Sequence, residues 1–242
     1  MSGRPEPKTW WREHLKSERR SRLGLAGDLV PDAAHSPYPD LTQAPGFEGI
    51  LPAAGQWAAA FESLADEPST RSVLRLMVAQ GIRVLVPAVR SPGDPEAPEV
   101  GWAMVSDCVD AAKVGLSSTE TQRTSSAGRA VGVRSDSRVG AGGRVGAGRR
   151  VGAGRRAGSL SSAGLLTRCR LVLAPALAVD FSGTRLGRGG GWYDRALAHA
   201  SADALVLAVC FPWEVLPAGA LPRQFHDRPV DGALTNQGVS LF

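Results

Sequence analysis

Three nearly uninterrupted apolar runs constrain the fold of this chain more than any other feature. They read RVLVPAV at 83–89, LVLAPALAV at 171–179 and ALVLAVC at 204–210. Apolar runs without a polar residue at every second position are typical of parallel strands that are buried on both faces of a sheet. A weaker fourth run, 56–64, is interrupted by Glu62 and is rich in alanine, a poor strand former. The sequence therefore predicts a sheet that contains these four strands.

Helical patterns lie between the apolar runs. Residues 70–80 carry apolar positions at helical spacing, with Ser69 or Thr70 as the N-cap and Gly81 as the terminator. Residues 192–200 predict another helix, between the last two runs. Each helix then joins two strands, so the sequence predicts an α/β fold with a three-layer, doubly wound, mainly parallel sheet and helices on both faces. The apolar positions of the first helix are Val73, Leu74, Met77 and Val78.

Positive charge is concentrated in one segment of the chain. The net charge is +5, but the stretch from Arg123 to Arg156 contains nine arginines and one acid, Asp136, so the remainder is mildly acidic. Residues 138–156 repeat RVGAG at a spacing of six residues. That period is too short, and too poor in apolar residues, for a folded repeat. We therefore expect a disordered Arg/Gly-rich insert at about 117–164 that interrupts a single α/β domain spanning 1–242.

Several sequence features indicate the cellular compartment. The N-terminus is polar, no apolar run approaches the roughly 20 residues needed to span a bilayer, and no apolar signal-peptide segment is present. The cysteines Cys108, Cys169 and Cys210 lie far apart without a CxxC pair, which predicts buried, reduced thiols. We expect a cytoplasmic protein. The sequence does not define the oligomeric state, and a monomer is the expectation.

A glycine-rich turn, 183–191, follows the run at 171–179. Backbone amides in a glycine turn between a strand and a helix bind phosphate, and Arg185 and Arg188 would add charge-assisted hydrogen bonds. Asp194 lies in the first turn of the following helix, where it could hold the magnesium ion that accompanies a nucleoside triphosphate. The residues alone leave open a flexible turn in which Asp194 only caps the helix, because the spacing matches neither a Walker A loop nor a dinucleotide fingerprint.

Longer motifs around this turn resemble one enzyme family. Residues 183–195, GTRLGRGGGWYDR, resemble the signature G-x-R-L-G-x-G-x-G-Y-Y-D of 5-formyltetrahydrofolate cyclo-ligases. PALAVD at 175–180 and FHDRPVDGALT at 225–235 are similar to family segments in the expected order. Two shorter resemblances are KTWWR at 8–12, on the opening helix, and DEPST at 66–70.

This resemblance implies an enzyme that converts 5-formyltetrahydrofolate to 5,10-methenyltetrahydrofolate and hydrolyses ATP to ADP and phosphate, with magnesium. In that chemistry the γ-phosphoryl group passes to the formyl oxygen and a neighbouring nitrogen closes the ring, so no side-chain nucleophile is required. The metal ligands that it implies are Asp194 and Asp227. The ATP contacts that it implies are Lys8, Arg12, Arg185, Leu186, Gly187, Arg188, Gly189, Gly190, Gly191, Trp192 and Tyr193. The folate contacts that it implies are Glu67, Arg188, Gly189, Gly190, Gly191 and Trp192.

Departures from the family pattern leave other functions open. Trp192 replaces a tyrosine, Glu62 stands where the family has an aliphatic residue, and Gly115-Leu116 is followed by serines instead of Glu-Pro. One alternative is therefore a catalytically impaired homologue that keeps an ATP site without folate turnover. Another alternative is nucleic-acid contact through the Arg/Gly insert. It ranks lowest because residues 117–164 contain no aromatic side chain that could stack on bases. Contact with a membrane is not expected.

Overall fold

The secondary structure follows the predicted alternation of strands and helices. This computed structural model describes residues 6–24, 39–88, 101–105, 163–225 and 227–242. In chain order the strands of these residues are β1 Trp57–Ala59, β2 Arg83–Ala88, β3 Gly101–Met104, β4 Cys169–Pro175, β5 Ala178–Asp180, β6 Arg185–Leu186, β7 Leu205–Val209, β8 Val215–Leu216, β9 Gly232–Thr235 and β10 Gly238–Leu241. Their helices are α1 Lys8–Arg22, α2 Arg71–Ala79, α3 Ala163–Leu166 and α4 Trp192–Leu197.

The main sheet has seven strands in the order β10-β9-β7-β4-β1-β2-β3. The five central strands are parallel, and the two edge strands, β10 and β3, pair antiparallel with their neighbours. From β1 the chain first builds outward to β2 and then returns to β4 on the other side of β1. The direction of winding therefore reverses between β1 and β4, as in a doubly wound sheet.

Alternate residues of the central strands face two separate cores. Leu173 of β4 lies in one core with Met77 of α2, and Val172, its neighbour on β4, lies in the other core with Leu197 of α4. Since β4 is buried on both faces, it needs no polar alternation, and this is why its sequence is a continuous apolar run. Helices cover both faces of the sheet, which confirms the predicted three-layer α/β class.

The run 171–179, predicted as one strand, is divided between two sheets. β4 ends at Pro175, and β5 pairs with β6 and β8 in a separate three-stranded sheet. The change of partner occurs within two residues, because Ala176 N donates to Val209 O of the main sheet and Leu177 N donates to Leu186 O of β6. Hydropathy does not reveal this division, since both sheets bury the run on all sides.

Details of the predicted helices also differ from the structure. Thr70 stands at the N-cap of α2, but its hydroxyl donates to Phe61 O at 2.5 Å and makes no capping hydrogen bond. Val78, expected on the buried face, is 45% exposed, because the face that packs on the sheet ends with Met77. Gly81 has a φ of +73°, as expected of a terminator. α4 ends at Leu197, three residues earlier than expected.

Some expectations concern residues that the structure does not describe. Nearly all of the expected insert at 117–164 lies outside the described residues, and its last two positions open α3. Cys108 and His226 also lie outside them, whereas Cys169 and Cys210 are buried free thiols as expected. Burial raises the pKa of Cys169 to about 12. Among the described helices, none is long and apolar enough to cross a membrane.

Candidate functional site

A cavity of about 440 Å³ opens at the carboxyl ends of β1, β2 and β4, where the winding of the sheet reverses. Ligands of doubly wound proteins bind at this position, and the volume lies within the range of small-molecule sites. Most of the predicted site residues line it, namely Glu67, Arg185 and the whole segment 187–194. Lys8, Arg12, Leu186 and Asp227 do not line it.

Sequence reasoning missed the apolar wall of this cavity. Its members lie at the carboxyl ends of β1, β2 and β4 or just after them, where a parallel sheet meets its ligand. The signal that could have identified them is this position at the carboxyl end of each predicted strand. The residues are Phe61, Leu64, Val86, Pro87, Pro175, Ala176 and Leu177. Glu62, flagged by its acidic side chain in an apolar run, lines the cavity beside them.

The glycine loop, defined here as residues 187–191, forms another part of the cavity lining. Gly189 and Gly191 have φ values of +107° and +66°, which side chains rarely adopt. A Cβ at Gly190 would meet no atom within 4 Å. A ligand can therefore approach the backbone of this loop closely. α4, which follows the loop, has only six residues, so loop amides and cations contribute more than a helix dipole here.

Arg188 connects the glycine loop to the segment before α2. Its Nε donates to Glu67 Oε1 at 2.9 Å, and its Nη2 donates to the carboxylate of Asp66. Burial would lower the pKa of Arg188, but the two carboxylates raise it. Glu67 Oε2 also accepts a hydrogen bond from Leu64 N at 3.0 Å. Arg188, which was expected to contact a phosphate, thus orients the Glu67 carboxylate, which was expected to contact the folate.

Arg185 occupies the inner wall of the cavity. Its Nη1 donates to Pro175 O at 3.0 Å and its Nη2 donates to the Asp194 carboxylate. Burial lowers the pKa of Arg185, against the raising effect of Asp194. The guanidinium carbon lies 5.7 Å from the centre of the Tyr193 ring, and burial raises the pKa of Tyr193. Arg185 is therefore a fixed cation, since five-donor guanidinium groups stay protonated.

Helix α1 lies along the outer side of the glycine loop. Arg12 Nε donates to Gly187 O at 3.0 Å, and Lys8 Nζ donates to Asp227 Oδ2 at 2.6 Å. The structure thus brings together two predicted site residues, Lys8 and Asp227, that are 219 positions apart. Leu186 is buried between β5 and α1, where it packs in a small apolar cluster with Leu15. Leu186 therefore supports the glycine loop from this cluster and does not line the cavity.

Carboxylates are distributed rather than clustered at this site. In the described part of the chain, no three His, Cys, Asp or Glu side chains come together as a metal-binding group. Asp194 lines the cavity with 37% of its side chain exposed, whereas the Asp227 side chain is 8% exposed against Lys8. Asp194 is therefore the more accessible of the two expected metal ligands.

Comparisons with known proteins identify the family of this chain. The family model described as the 5-formyltetrahydrofolate cyclo-ligase family matches residues 54–236. A 5-formyltetrahydrofolate cyclo-ligase of Mycolicibacterium smegmatis is 51% identical over 65 residues, which are 27% of this chain and 32% of that protein. A mitochondrial 5-formyltetrahydrofolate cyclo-ligase of Arabidopsis thaliana is 35% identical over 77 residues, 28% of each chain. The matches therefore span about a third of the length of these curated relatives.

A solved structure supports the fold. The NMR structure of Aquifex aeolicus 5,10-methenyltetrahydrofolate synthetase superimposes with a TM-score of 0.51 and 19% identity, over 97% of this chain and 92% of that one. At that identity the likeness concerns the fold. The family model, however, matches more than half of the sequence and confirms the resemblance of the glycine-loop signature. This chain therefore belongs to the 5-formyltetrahydrofolate cyclo-ligase family.

Proposed function

We propose that this protein converts 5-formyltetrahydrofolate to 5,10-methenyltetrahydrofolate while it hydrolyses ATP to ADP and phosphate, with Mg²⁺. The observation that carries the proposal is the mixed lining of the cavity. Part of the lining is a glycine loop with adjoining cations, and part is apolar and includes a buried carboxylate, Glu67. Such a cavity suits a polyphosphate on one side and a planar heterocycle with N–H groups on the other.

The phosphate side consists of the glycine loop, Arg185, Lys8 and Arg12. The backbone N–H groups of the loop glycines can donate to phosphate oxygens, and Arg185 supplies a buried positive charge beside them. Arg12 already donates to the loop at Gly187 O, which brings α1 against it. Lys8, one helical turn earlier, adds a second cation on the same helix. Together these groups can neutralise the charge of a triphosphate.

The folate side consists of Glu67, Trp192 and the apolar wall. Glu67 is held by Arg188 and by Leu64 N, so its position is fixed before a ligand arrives. A fixed carboxylate pairs well with the N–H donors of a pterin ring, and this gives specificity because an unpaired buried donor is costly. Trp192 offers an aromatic surface for the same ring.

Asp194 fits a magnesium ion that arrives with the nucleotide. Mg²⁺ usually keeps several waters and needs only one or two protein carboxylates besides phosphate oxygens. Asp194, on the cavity wall, meets that requirement, and Asp227 would be the second ligand if its pairing with Lys8 is exchanged. The bound ion would neutralise charge on the transferring phosphoryl group.

The reaction needs positioning more than side-chain chemistry. The γ-phosphoryl group is transferred to the formyl oxygen, the neighbouring nitrogen then attacks the formyl carbon, and phosphate leaves with that oxygen. The role of this chain is to hold the two substrates in line, to neutralise phosphate charge through Arg185, Lys8 and the loop amides, and to exclude water with the apolar wall.

A direct assay tests this proposal. Purified protein with ATP, Mg²⁺ and 5-formyltetrahydrofolate should produce the absorbance of the methenyl product, and no product above a no-enzyme control would refute it. Lys8→Ala should raise the KM for ATP, whereas Lys16→Ala on the same helix should leave it unchanged. An unchanged KM in the Lys8 variant would mean that Lys8 serves its ion pair with Asp227 and not ATP binding.

A catalytically impaired homologue is the second candidate, and Glu62 is the observation that favours it. Glu62 lines the cavity beside the apolar wall, where a carboxylate opposes burial of a heterocycle. Calorimetry that detects binding of ATP–Mg²⁺ but not of 5-formyltetrahydrofolate would support this candidate over the first. Glu62→Leu should then restore folate binding.

Three further expectations stay predictions, namely a cytoplasmic location, a monomeric state and the low rank of nucleic-acid contact. Residues 123–156, the arginine-rich part of the insert, lie outside the described residues. Deletion of 123–156 addresses nucleic-acid contact. If the deletion leaves retention on a nucleic-acid column unchanged and independent of salt, the insert makes no such contact.

A further inference from the structure

Trp102, on the edge strand β3, lies beside residues that line the cavity. In the pairing of β2 with β3 it stands opposite Pro87, which lines the cavity. Its ring meets the ring of Trp192 edge to face, with centroids 4.9 Å apart and an interplanar angle of 65°. Its centroid is 6.4 Å from that of Tyr193. Trp102 therefore supports two aromatic residues of the cavity wall from outside.

The Trp102 side chain is buried as well as packed against Trp192. Trp102 is 8% exposed, and its Nε1 is buried without a hydrogen-bond partner among the described residues. A phenylalanine at this position would keep an aromatic ring and would have no N–H group that needs a partner.

Trp192 is the residue that this contact affects. It has two edge-to-face neighbours, Trp102 and Tyr193, the latter at 4.8 Å and 65°. Edge-to-face contacts depend on ring orientation, so the two neighbours together favour one orientation of the Trp192 indole. Without Trp102, one side of Trp192 loses its support and the ring can rotate toward the edge strand.

We propose that Trp102 is a positioning residue that determines folate specificity, because it holds the Trp192 indole in the orientation that stacks on the pterin ring. The identity of the ligand rests on the proposed function. In the cluster of Trp102, Trp192 and Tyr193, Trp102 lies on the β2–β3 side of the cavity, whereas α1 and its cations adjoin the glycine loop and the small sheet. The pterin, rather than the nucleotide, is therefore the ligand that the cluster orients.

The positional part of this proposal can be tested without any ligand. The protein is labelled with 5-fluorotryptophan, and the ¹⁹F resonance of Trp192 is assigned by its loss in Trp192→Phe. Trp102→Phe and Trp102→Leu should shift and broaden that resonance. Trp57→Phe, the same change at the opposite ends of the parallel strands, should leave it in place. A Trp192 resonance that responds equally to all three changes, or to none, overturns the proposal.

Calorimetry then tests the link to specificity. Trp102→Phe should raise the Kd for 5-formyltetrahydrofolate about three- to tenfold and leave the Kd for ATP within about twofold. The melting temperature should stay within about 3 °C of the unmodified protein, because the smaller ring also removes the unpaired donor. Equal losses for both ligands, or a loss for ATP alone, overturn it. If the unmodified protein binds no folate, the proposed function fails, and the ¹⁹F comparison still decides whether Trp102 positions Trp192.

Discussion

A buried ion pair between Arg19 and Glu214 fixes helix α1 beside the cavity. Arg19 Nε and Nη2 donate to the two Glu214 oxygens at 2.6 and 2.7 Å, and the two side chains are 0% and 1% exposed. Arg19 Nη2 also donates to Ala176 O at 2.8 Å, and Glu214 Oε2 accepts from Phe211 N at 2.9 Å. Since Ala176 lines the cavity, the pair joins α1 to its wall.

Replacement of Arg19 by methionine should destabilise the protein severely. Methionine keeps much of the packing volume, but it leaves the Glu214 carboxylate buried with one backbone donor. Breaking a buried pair from one side costs about 3–5 kcal/mol, against a total unfolding free energy of about 5–15 kcal/mol for a domain. Arg20→Met, on the exposed side of the same helix, should change stability by less than about 0.5 kcal/mol.

The loss should also depend on pH, with a definite sign. Burial raises the pKa of Glu214, and Arg19 opposes that rise. Without Arg19 the folded-state pKa rises further, so the protonated carboxyl contributes stability that is complete below the unfolded pKa of about 4.3 and is lost as pH rises through the folded value. The deficit of Arg19→Met relative to the unmodified protein should therefore be larger at pH 8 than at pH 5.

Denaturant unfolding at these two pH values measures both effects. The free energy of unfolding is obtained by linear extrapolation for the unmodified protein, Arg19→Met and Arg20→Met. If Arg19→Met lies within about 1 kcal/mol of Arg20→Met at pH 8, the pair does not have the energetic weight assigned to a buried ion pair. A deficit that is larger at pH 5 than at pH 8 would refute the linkage argument.

Three other perturbations have defined outcomes. Gly183→Ala should lower the unfolding free energy by about 2 kcal/mol or more, because φ is +78° and the new Cβ would lie 2.6 Å from a backbone oxygen. Thermal melts measure the loss, and Gly49→Ala, at a position with open space around it, is the control. Asp180 accepts hydrogen bonds that outweigh burial and lower its pKa, so stability should fall as pH drops from about 4 through that lowered value, and Asp180→Asn should show a smaller fall in melts against pH. Arg228→Ala should destabilise by about 1–3 kcal/mol in denaturant unfolding, because Arg228 donates to three carbonyls at and beyond the end of α4, whereas the exposed Arg223→Ala should have little effect.

Local signals in the sequence predict much of the fold. The runs at 83–89 and 204–210 contain β2 and β7, because strands that are buried on both faces have nearly continuous apolar sequences. The same property hides the transfer of the run at 171–179 from one sheet to another, since both environments are apolar. The edge strand at 101–104 gave no such run, because edge strands are short and partly exposed.

The candidate site shows the same division between local and distant information. Segment 187–194 could be identified from its own sequence, because the spaced glycines and the aromatic and acidic residues after them form one contiguous motif. The contact of Arg188 with Asp66 could not, since it joins positions 122 apart and depends on how the sheet brings β1 beside the glycine loop. The same holds for Trp102, whose role follows from its pairing opposite Pro87.

The pairing of charges at this site changes what the expected ligand contacts mean. Three cations expected at ATP each lie against a carboxylate expected at the metal or the folate: Lys8 against Asp227, Arg185 against Asp194 and Arg188 against Glu67. A phosphate that draws one of these cations away from its carboxylate weakens an existing ion pair in a partly buried site, which is costly. Binding of a phosphate to the cations and binding of a new partner to the carboxylates are therefore linked. A set of ligands that supplies both anions and hydrogen-bond donors loses less free energy when the ion pairs separate. A triphosphate with its divalent cation, next to a pterin with N–H donors, is such a set, because each new partner replaces one member of an existing pair.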